Sequence, residues 1–557
     1  MKYRITRSIF FLGITGFLLT ASCAKKIDDA YLNPNAAVVE PIETILSGVI
    51  GSFTAFFSSA GSGYGVQADG ILLGRYIQYW GTQTLAENYG QMGGANGTDA
   101  TGSLWAAVYY GHGQNVNKII KWGTEQEKWD YVGVGWAIRA WGWLELTNQY
   151  GDAILRQAFN TNLQQFTYDS QPEFYDSCRV ICFRALDFLS RTDGNVDQKN
   201  LAIGDAFFNK GDVSKWKKFV YGTLARSYID ISAKDIFKAN NFAYADSAIK
   251  YANLAMSVNQ DNAMVSVLGG LTSQVNNYFG PFRANIGTLR QSAYIANLMT
   301  GLNSGAFTGI SDPRAWYKLR ENQGGSFKGF TPWLGSSSLV DADYPQNFWG
   351  YTNNAAGKYL PGSTSAPTVD TSRYVYQNTS PWPIMTAAEM QFIIAEAALR
   401  KGDNSTALAA YKKAISLDFD MLINTYPQHI PAANKITPDI ASAFISKEGV
   451  APATGLTLTH VMLQKYIALY GWGTHQTWID MRKFHYTDPD PVTGKQVYAD
   501  FALPAGFNLL STNNNKPVYR CRPRYNSEYL YNVPELTRLG AIDLNYITKE
   551  CWFSQAK

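Results

Sequence analysis

Glu389 and Glu396 stand seven residues apart in one alanine-rich stretch, a pairing that invites an acid/base reading. Glycosidase carboxylates need a defined separation, about 5 Å or about 6.5–9.5 Å, across a sugar in a cleft. Two on one alanine-rich helix are expected to pair with buried arginine or backbone groups instead. His475 lies between Trp472 and Trp478, where an imidazole is expected to be packed or hydrogen-bonded. There is no Gly-x-Ser-x-Gly, no Walker-type phosphate loop and no His-Glu-x-x-His. The five histidines are scattered and no Cys-x-x-Cys occurs, so neither a structural zinc site nor a cofactor is expected. Arg314 and Arg482 are expected to tie loops to the scaffold. Glycosidases need only two carboxylates with no fixed sequence spacing, so the missing motifs do not exclude catalysis, but they point to binding.

Aromatic residues make up 14% of the chain, including 15 Trp and 35 Tyr, more than core packing alone usually uses. Indole and phenol rings offer flat apolar faces with one polar handle, which suits the CH faces of sugars, while amides and guanidinium groups suit their hydroxyls. Two stretches combine both. Arg75–Tyr89 carries Arg75, Tyr79, Trp80, Gln83, Asn88 and Tyr89 beside a glycine-rich loop. The segment 333–359 carries Trp333, Trp349 and Tyr351 among Ser, Asn and Gly. These nine residues are the candidate ligand contacts. Trp105, Trp136, Trp141 and Trp143 lie in periodic segments and are expected in the core, with at least one of the last three facing a loop or partner.

The elements that must position these residues are helical. Helices are expected at 42–58, 69–81, from 103 onward, 129–150, 172–189, 214–232, 244–257 and from 386 to about 401. The Gly151-Asp152 pair stops the fourth of them, with Asp152 as the next cap. Ser405 is expected to cap a further helix running to about Asp418. Ala407-x-x-x-Tyr411-x-x-Ala414, with Ala395 twelve residues earlier, matches a tetratricopeptide helix pair, and Ala248-x-x-x-Ala252-x-x-Ala255 is a weaker echo. No long alternating run predicts a sheet core. Residues 87–102 read as an exposed glycine loop. Residues 258–385, rich in Gly, Ser, Asn, Pro and aromatics, read as a large irregular insertion. The fold class is therefore all-α: a tetratricopeptide-like helical-hairpin scaffold (41–257 and 386–485), that insertion, and an irregular segment 486–557.

The first 22 residues have a basic start (Lys2, Arg4, Arg7) and an apolar run of about ten residues, against the ~20 needed to span a bilayer. Small residues and Cys23 follow, as in a bacterial lipoprotein signal. Residues 1–22 read as a signal peptide, Cys23 as the lipidation site and 23–40 as a tether. Cleavage lowers the formal charge from +4 to about +1, which gives no electrostatic reason to expect nucleic acid as a partner. Of the four remaining cysteines, Cys178 and Cys182 are four apart on an expected helix, and Cys521 and Cys551 are isolated. Their oxidation state is open at this point.

Eight short pieces then stand in a recognisable order. They are Asn33-Pro34-Asn35, Trp105-x-x-x-Tyr109-Tyr110, Ala137–Asp152, Asp312-Pro313-Arg314, Thr386–Leu399, Gln464–Leu469, Trp478-x-x-Met481-Arg482 and Arg522-Pro523-Arg524-Tyr525. With the lipoprotein start, they resemble the SusD/RagB family of outer-membrane lipoproteins over almost the whole chain. The resemblance implies a non-enzymatic, surface-exposed binding protein that serves as lid and ligand-binding partner of a SusC-like TonB-dependent transporter barrel. It implies an oligosaccharide as ligand. The alternatives are a peptide ligand, a scaffold that contacts only the barrel, and, least supported, a lipid-anchored glycoside hydrolase.

Overall fold

A computed structural model describes residues 40–54, 68–83, 88–270, 276–350 and 363–557. Cys23, the tether and Tyr351 lie outside the described residues. The chain is mostly helical, and its helices stack as antiparallel pairs.

Helix Trp129–Tyr150 is the centre of the first half. Nearly every residue in it is buried, because it packs on Gly111–Glu125, Gln171–Phe188 and Val213–Ile229 at once. It stops at Gly151, whose φ of 82° is open to glycine at little cost, and the Gly151 N–H closes on Thr147 O at 2.8 Å. Asp152 does not cap the next helix as expected, since the N-cap there is Ser170, but it accepts the N–H of that helix's first residue, Gln171, at 3.1 Å. Ser170 and Glu173 complete a capping box there. Trp105, Trp141 and Trp143 are in the core, whereas Trp136 is half-buried with the Arg184 guanidinium 4.7 Å above its ring.

Helix Ala387–Lys401 forms a hairpin with Asn404–Thr425 and also packs on Asp235–Leu254. Ala395, Ala407 and Ala414 are fully buried, so small side chains set the close approach of the pair, and Tyr411 donates to Val450 O at 2.7 Å. The cap of the second helix is Asp403, which accepts from Thr406 N at 3.1 Å, and not Ser405; that helix also runs past Asp418 to Thr425. One other expected helix, that from Ser103, breaks at Tyr110. The helix expected at 244–257 is the second part of Asp235–Leu254, after an interruption at Ala239–Phe242 in which Asn240, Asn241 and Phe242 are in the left-handed region.

Two short antiparallel ladders fasten the insertion. Ala263–Val265 pairs with Trp382–Met385, so the excursion begins and ends on one ladder. Trp80–Thr82 pairs with Leu289–Gln291, which lays the insertion against the N-terminal part (Trp80 opposite Gln291, Thr82 opposite Leu289). Among the described residues no helix is long and apolar enough to cross a membrane. All four described cysteines are free thiols and buried.

Candidate functional site

Most of the candidate contacts are turned inward. Helix Ala68–Tyr76 leads through Gln78, at a φ of 55°, into the strand Trp80–Thr82, whose three residues are all buried. The Trp80 indole is fully enclosed, with its N–H on Ile71 O at 2.9 Å and its ring edge-on to Phe279 at 6.0 Å. Tyr79 is equally enclosed. Its hydroxyl donates to Tyr466 O at 3.1 Å and lies 2.6 Å from Thr477 Oγ1, and burial pushes its pKa well above the ordinary value. The Tyr89 ring packs 5.9 Å from Tyr76 with the Arg75 guanidinium 5.8 Å above it. Trp349 is buried with its N–H on Phe279 O at 2.8 Å.

Trp80, Tyr79, Tyr89, Arg75 and Trp349 are therefore packing residues here, a correction to the reading of their stretches as ligand surface. The physical reason is that loops, like ligands, offer carbonyls and apolar faces to aromatic rings. One sequence signal does separate the cases. A Cβ at Gly74 would meet the Trp80 ring at 2.4 Å, so the glycine six residues earlier is the space that the indole fills.

Two further candidates, Gln83 and Trp333, sit at the edge of the same ladder. Gln83 O accepts from Ser336 N at 3.2 Å, which brings the turn Thr331–Gly335 beside the end of the strand. That turn is built locally: Leu334 N and Gly335 N both close on Thr331 O, and Thr331 N donates to Ser338 Oγ at 3.1 Å. Tyr344 donates to Ser336 O at 2.9 Å and stacks edge-on against Phe330. Trp333 is at the apex, half-buried. Among the described residues its ring makes no hydrogen bond and no ring contact. A half-open indole at the apex of a pinned turn is a stacking platform for a ligand ring.

Asn88 and the glycine loop lie on the C-terminal segment. Asn88 donates to Gly94 O at 3.0 Å, Leu510 N to Gln91 O at 3.0 Å, and Asn513 to Met92 O at 2.8 Å. Between loop and segment is a cavity of about 190 Å³ lined by Asn88, Asn96, Thr512, Arg522 and Ile547 among others. Arg522 faces it while donating to Tyr529 and to the carbonyls of Ala541 and Ile542. Beside it Phe507 is 91% exposed, and Gln91 reaches its carbonyl at 3.5 Å. Phe507 carried no pattern in the sequence; Arg522 stood in a motif but without a role.

The groups set aside as structural are tied as expected. Arg226 holds Glu389 through two hydrogen bonds of 2.7 and 2.8 Å and reaches Glu145 at 3.1 Å. Glu396 accepts from Lys483, Arg400 and Ser232. Burial pushes the Glu396 carboxyl up, but Lys483, Arg400 and Lys465 outweigh it and hold the pKa at about 2. His475 is buried with Nε2 at 2.7 Å from Gln149 Oε1, and desolvation lowers its pKa to about 3. Arg314 is clasped by Asp312, Asp418 and Gln464, and Arg482 donates to Tyr519 O at 2.7 Å. No metal-ligand cluster is found among the described residues.

Comparison with known proteins agrees with this picture. A SusD/RagB family protein from Bacteroides thetaiotaomicron superposes with a TM-score of 0.67 at 19% identity, over 94% of this chain and 100% of that one. A SusD homologue from Bacteroides fragilis gives 0.64 at 18% identity, over 92% and 100%. A chitin-binding SusD homologue from Flavobacterium johnsoniae gives 0.63 at 18% identity, over 92% and 99%. No curated protein sequence matches. The family model described as "starch-binding associating with outer membrane" matches residues 66–496, and the chain belongs to this SusD-like family.

Proposed function

We propose that this chain is a lipid-anchored binding protein of the outer membrane, facing the cell exterior, that captures a nutrient oligosaccharide. It passes the ligand to a SusC-like TonB-dependent barrel and does no chemistry on it. The observation that carries the ligand reading is Trp333: an aromatic face at the apex of a pinned turn, with no partner ring among the described residues. Family membership and the chitin-binding relative support a glycan over a peptide. Cys23 supplies the anchor, where each buried acyl methylene adds about 0.8 kcal/mol.

Calorimetry of residues 24–557 against a glycan panel, with an assay for released reducing ends, tests the reading. Binding of one glycan class without release is expected, and Trp333→Ala lowers that affinity about tenfold, equivalent to roughly 1.4 kcal/mol. Unchanged affinity in Trp333→Ala sinks the assignment of the platform. No binding across the panel moves the ligand to peptides or the role to the barrel alone, and released sugar defeats the non-enzymatic reading.

A further inference from the structure

Another pocket, formed by residues absent from the Trp333 ledge, lies between the 303–306 turn, the start of helix Leu458–Leu469 and the 490–500 loop. Its volume is about 370 Å³, inside the roughly 300–1,000 Å³ usual for small-molecule sites. Both walls are pinned from beneath. Asp490 is fully buried and accepts from Thr459 N at 2.8 Å, Thr459 Oγ1 at 2.9 Å and Val492 N at 2.9 Å, which fixes the loop against the helix. Opposite, Asn303 donates to Ala499 O at 3.0 Å and accepts from Gly305 N at 2.7 Å. Asp500 clasps the N–H and hydroxyl of Ser304. A cavity with walls held this way needs little ordering when a ligand enters.

The polar atoms left over define what would fit. Thr457 N–H points at His460 Nδ1 (3.4 Å), and a backbone N–H can only donate, so Nδ1 is the acceptor and the proton is on Nε2. Nε2 has no hydrogen bond among the described residues and is a donor for a ligand. Gln496 lines the pocket with an amide likewise unengaged, offering a donor and an acceptor. The Lys495 ammonium and the Asp500 carboxylate cancel in charge, and the carboxylate keeps lone pairs beyond those used by Ser304. Donors and acceptors are interspersed, and no net charge is on offer. That is the complement of hydroxyl groups, each of which donates and accepts.

We infer that this pocket is a second ligand site, for one neutral polyhydroxylated ring of monosaccharide size. It shares the sugar class of the proposed function but not its residues, so either site can fail without the other. The test is histidine-selective imidazole NMR of residues 24–557 titrated with glucose and with N-acetylglucosamine, the His460 signal being assigned by its loss in His460→Gln. The His460 signal is expected to move saturably with one of the two sugars. Gln496→Ala and Lys495→Ala, both on the loop outside the core, are expected to weaken that titration about tenfold each, and Trp333→Ala is expected to leave it unchanged. An unmoved His460 signal with both sugars overturns the site, as does a titration indifferent to both loop variants. Loss of the titration in Trp333→Ala overturns its independence from the ledge.

Discussion

Several buried cations of the helical scaffold sit between carboxylates, whereas several of the insertion sit among carbonyls. In the scaffold, Arg226 sits between Glu389 and Glu145, and Lys483 between Glu396 and Asp480. In the insertion, Arg290 donates to the carbonyls of Pro345, Gly287, Leu289 and Ser363, and Arg320 to those of Phe348 and Thr371. A helix consumes its own carbonyls, so a cation buried between helices meets few of them, and Arg226 and Lys483 rest on carboxylates. Arg482, near its helix end, still reaches Trp478 O and Tyr519 O. An irregular loop leaves carbonyls without N–H partners, and the five N–H donors of a guanidinium can gather several at once. Burial and the nearby Arg373 accordingly lower the pKa of Arg320, with Glu321 and Asp370 opposing. Where the two regions meet the two modes meet also: Asp418 of helix Asn404–Thr425 accepts from both Arg314 and Lys318 of the insertion.

Removing a carboxylate from the scaffold is the severest way to break this contrast. Glu396→Gln leaves Lys483 and Arg400 short of their counter-charge, and a loss of about 3–5 kcal/mol is expected in denaturant unfolding. Arg290→Met is milder and local, about 2 kcal/mol from stranded carbonyls. Its mark is faster amide exchange around residues 345–350 with the helices still protected, and uniform exchange across the chain would contradict the division. Arg290→Lys keeps the charge but not the fork, so it should recover only part of the loss if gathering carbonyls is what matters.

The smallest effect concerns pH. Hydrogen bonds to Asp488 and Glu550 raise His485 to a pKa of about 10. Its contribution is then full below the unfolded pKa of about 6.5 and is lost as pH rises through about 10. The site is partly exposed, so under about 1 kcal/mol is expected after screening. His485→Gln should flatten stability between those two values, and an unaltered slope would remove the assignment.

The same division decides what was legible in the sequence. Helix Trp129–Tyr150 and the alanine hairpin were readable because a periodic apolar face and a stop at Gly151 are local features. Asp403 for Ser405 is a two-residue error of the kind that two adjacent capping side chains allow. The insertion has no period to read. Trp80 and Trp333 both stand in loop-rich, polar stretches, yet one fills the space above Gly74 and the other stands at a turn apex. The Trp80 N–H finds a nearby carbonyl, that of Ile71, but the rings that help enclose it, Phe279 and Phe348, come from the insertion far along the chain. The 370 Å³ pocket was invisible for the same reason, since His460, Gln496 and Asp500 form no motif until the 303–306 turn closes over them.

The bonds between Tyr79 and Tyr466 carry a consequence for how the chain matures. Tyr79 donates to Tyr466 O while Tyr466 donates back to Ile77 O and Gln78 O, a closure across almost four hundred residues. Contacts of such sequence separation are made late, because the intervening chain must first be gathered. A half-emerged chain would hold Trp80 and its neighbours exposed, the condition in which large proteins aggregate. With this topology the N-terminal third is completed only after the residues around Tyr466 have arrived.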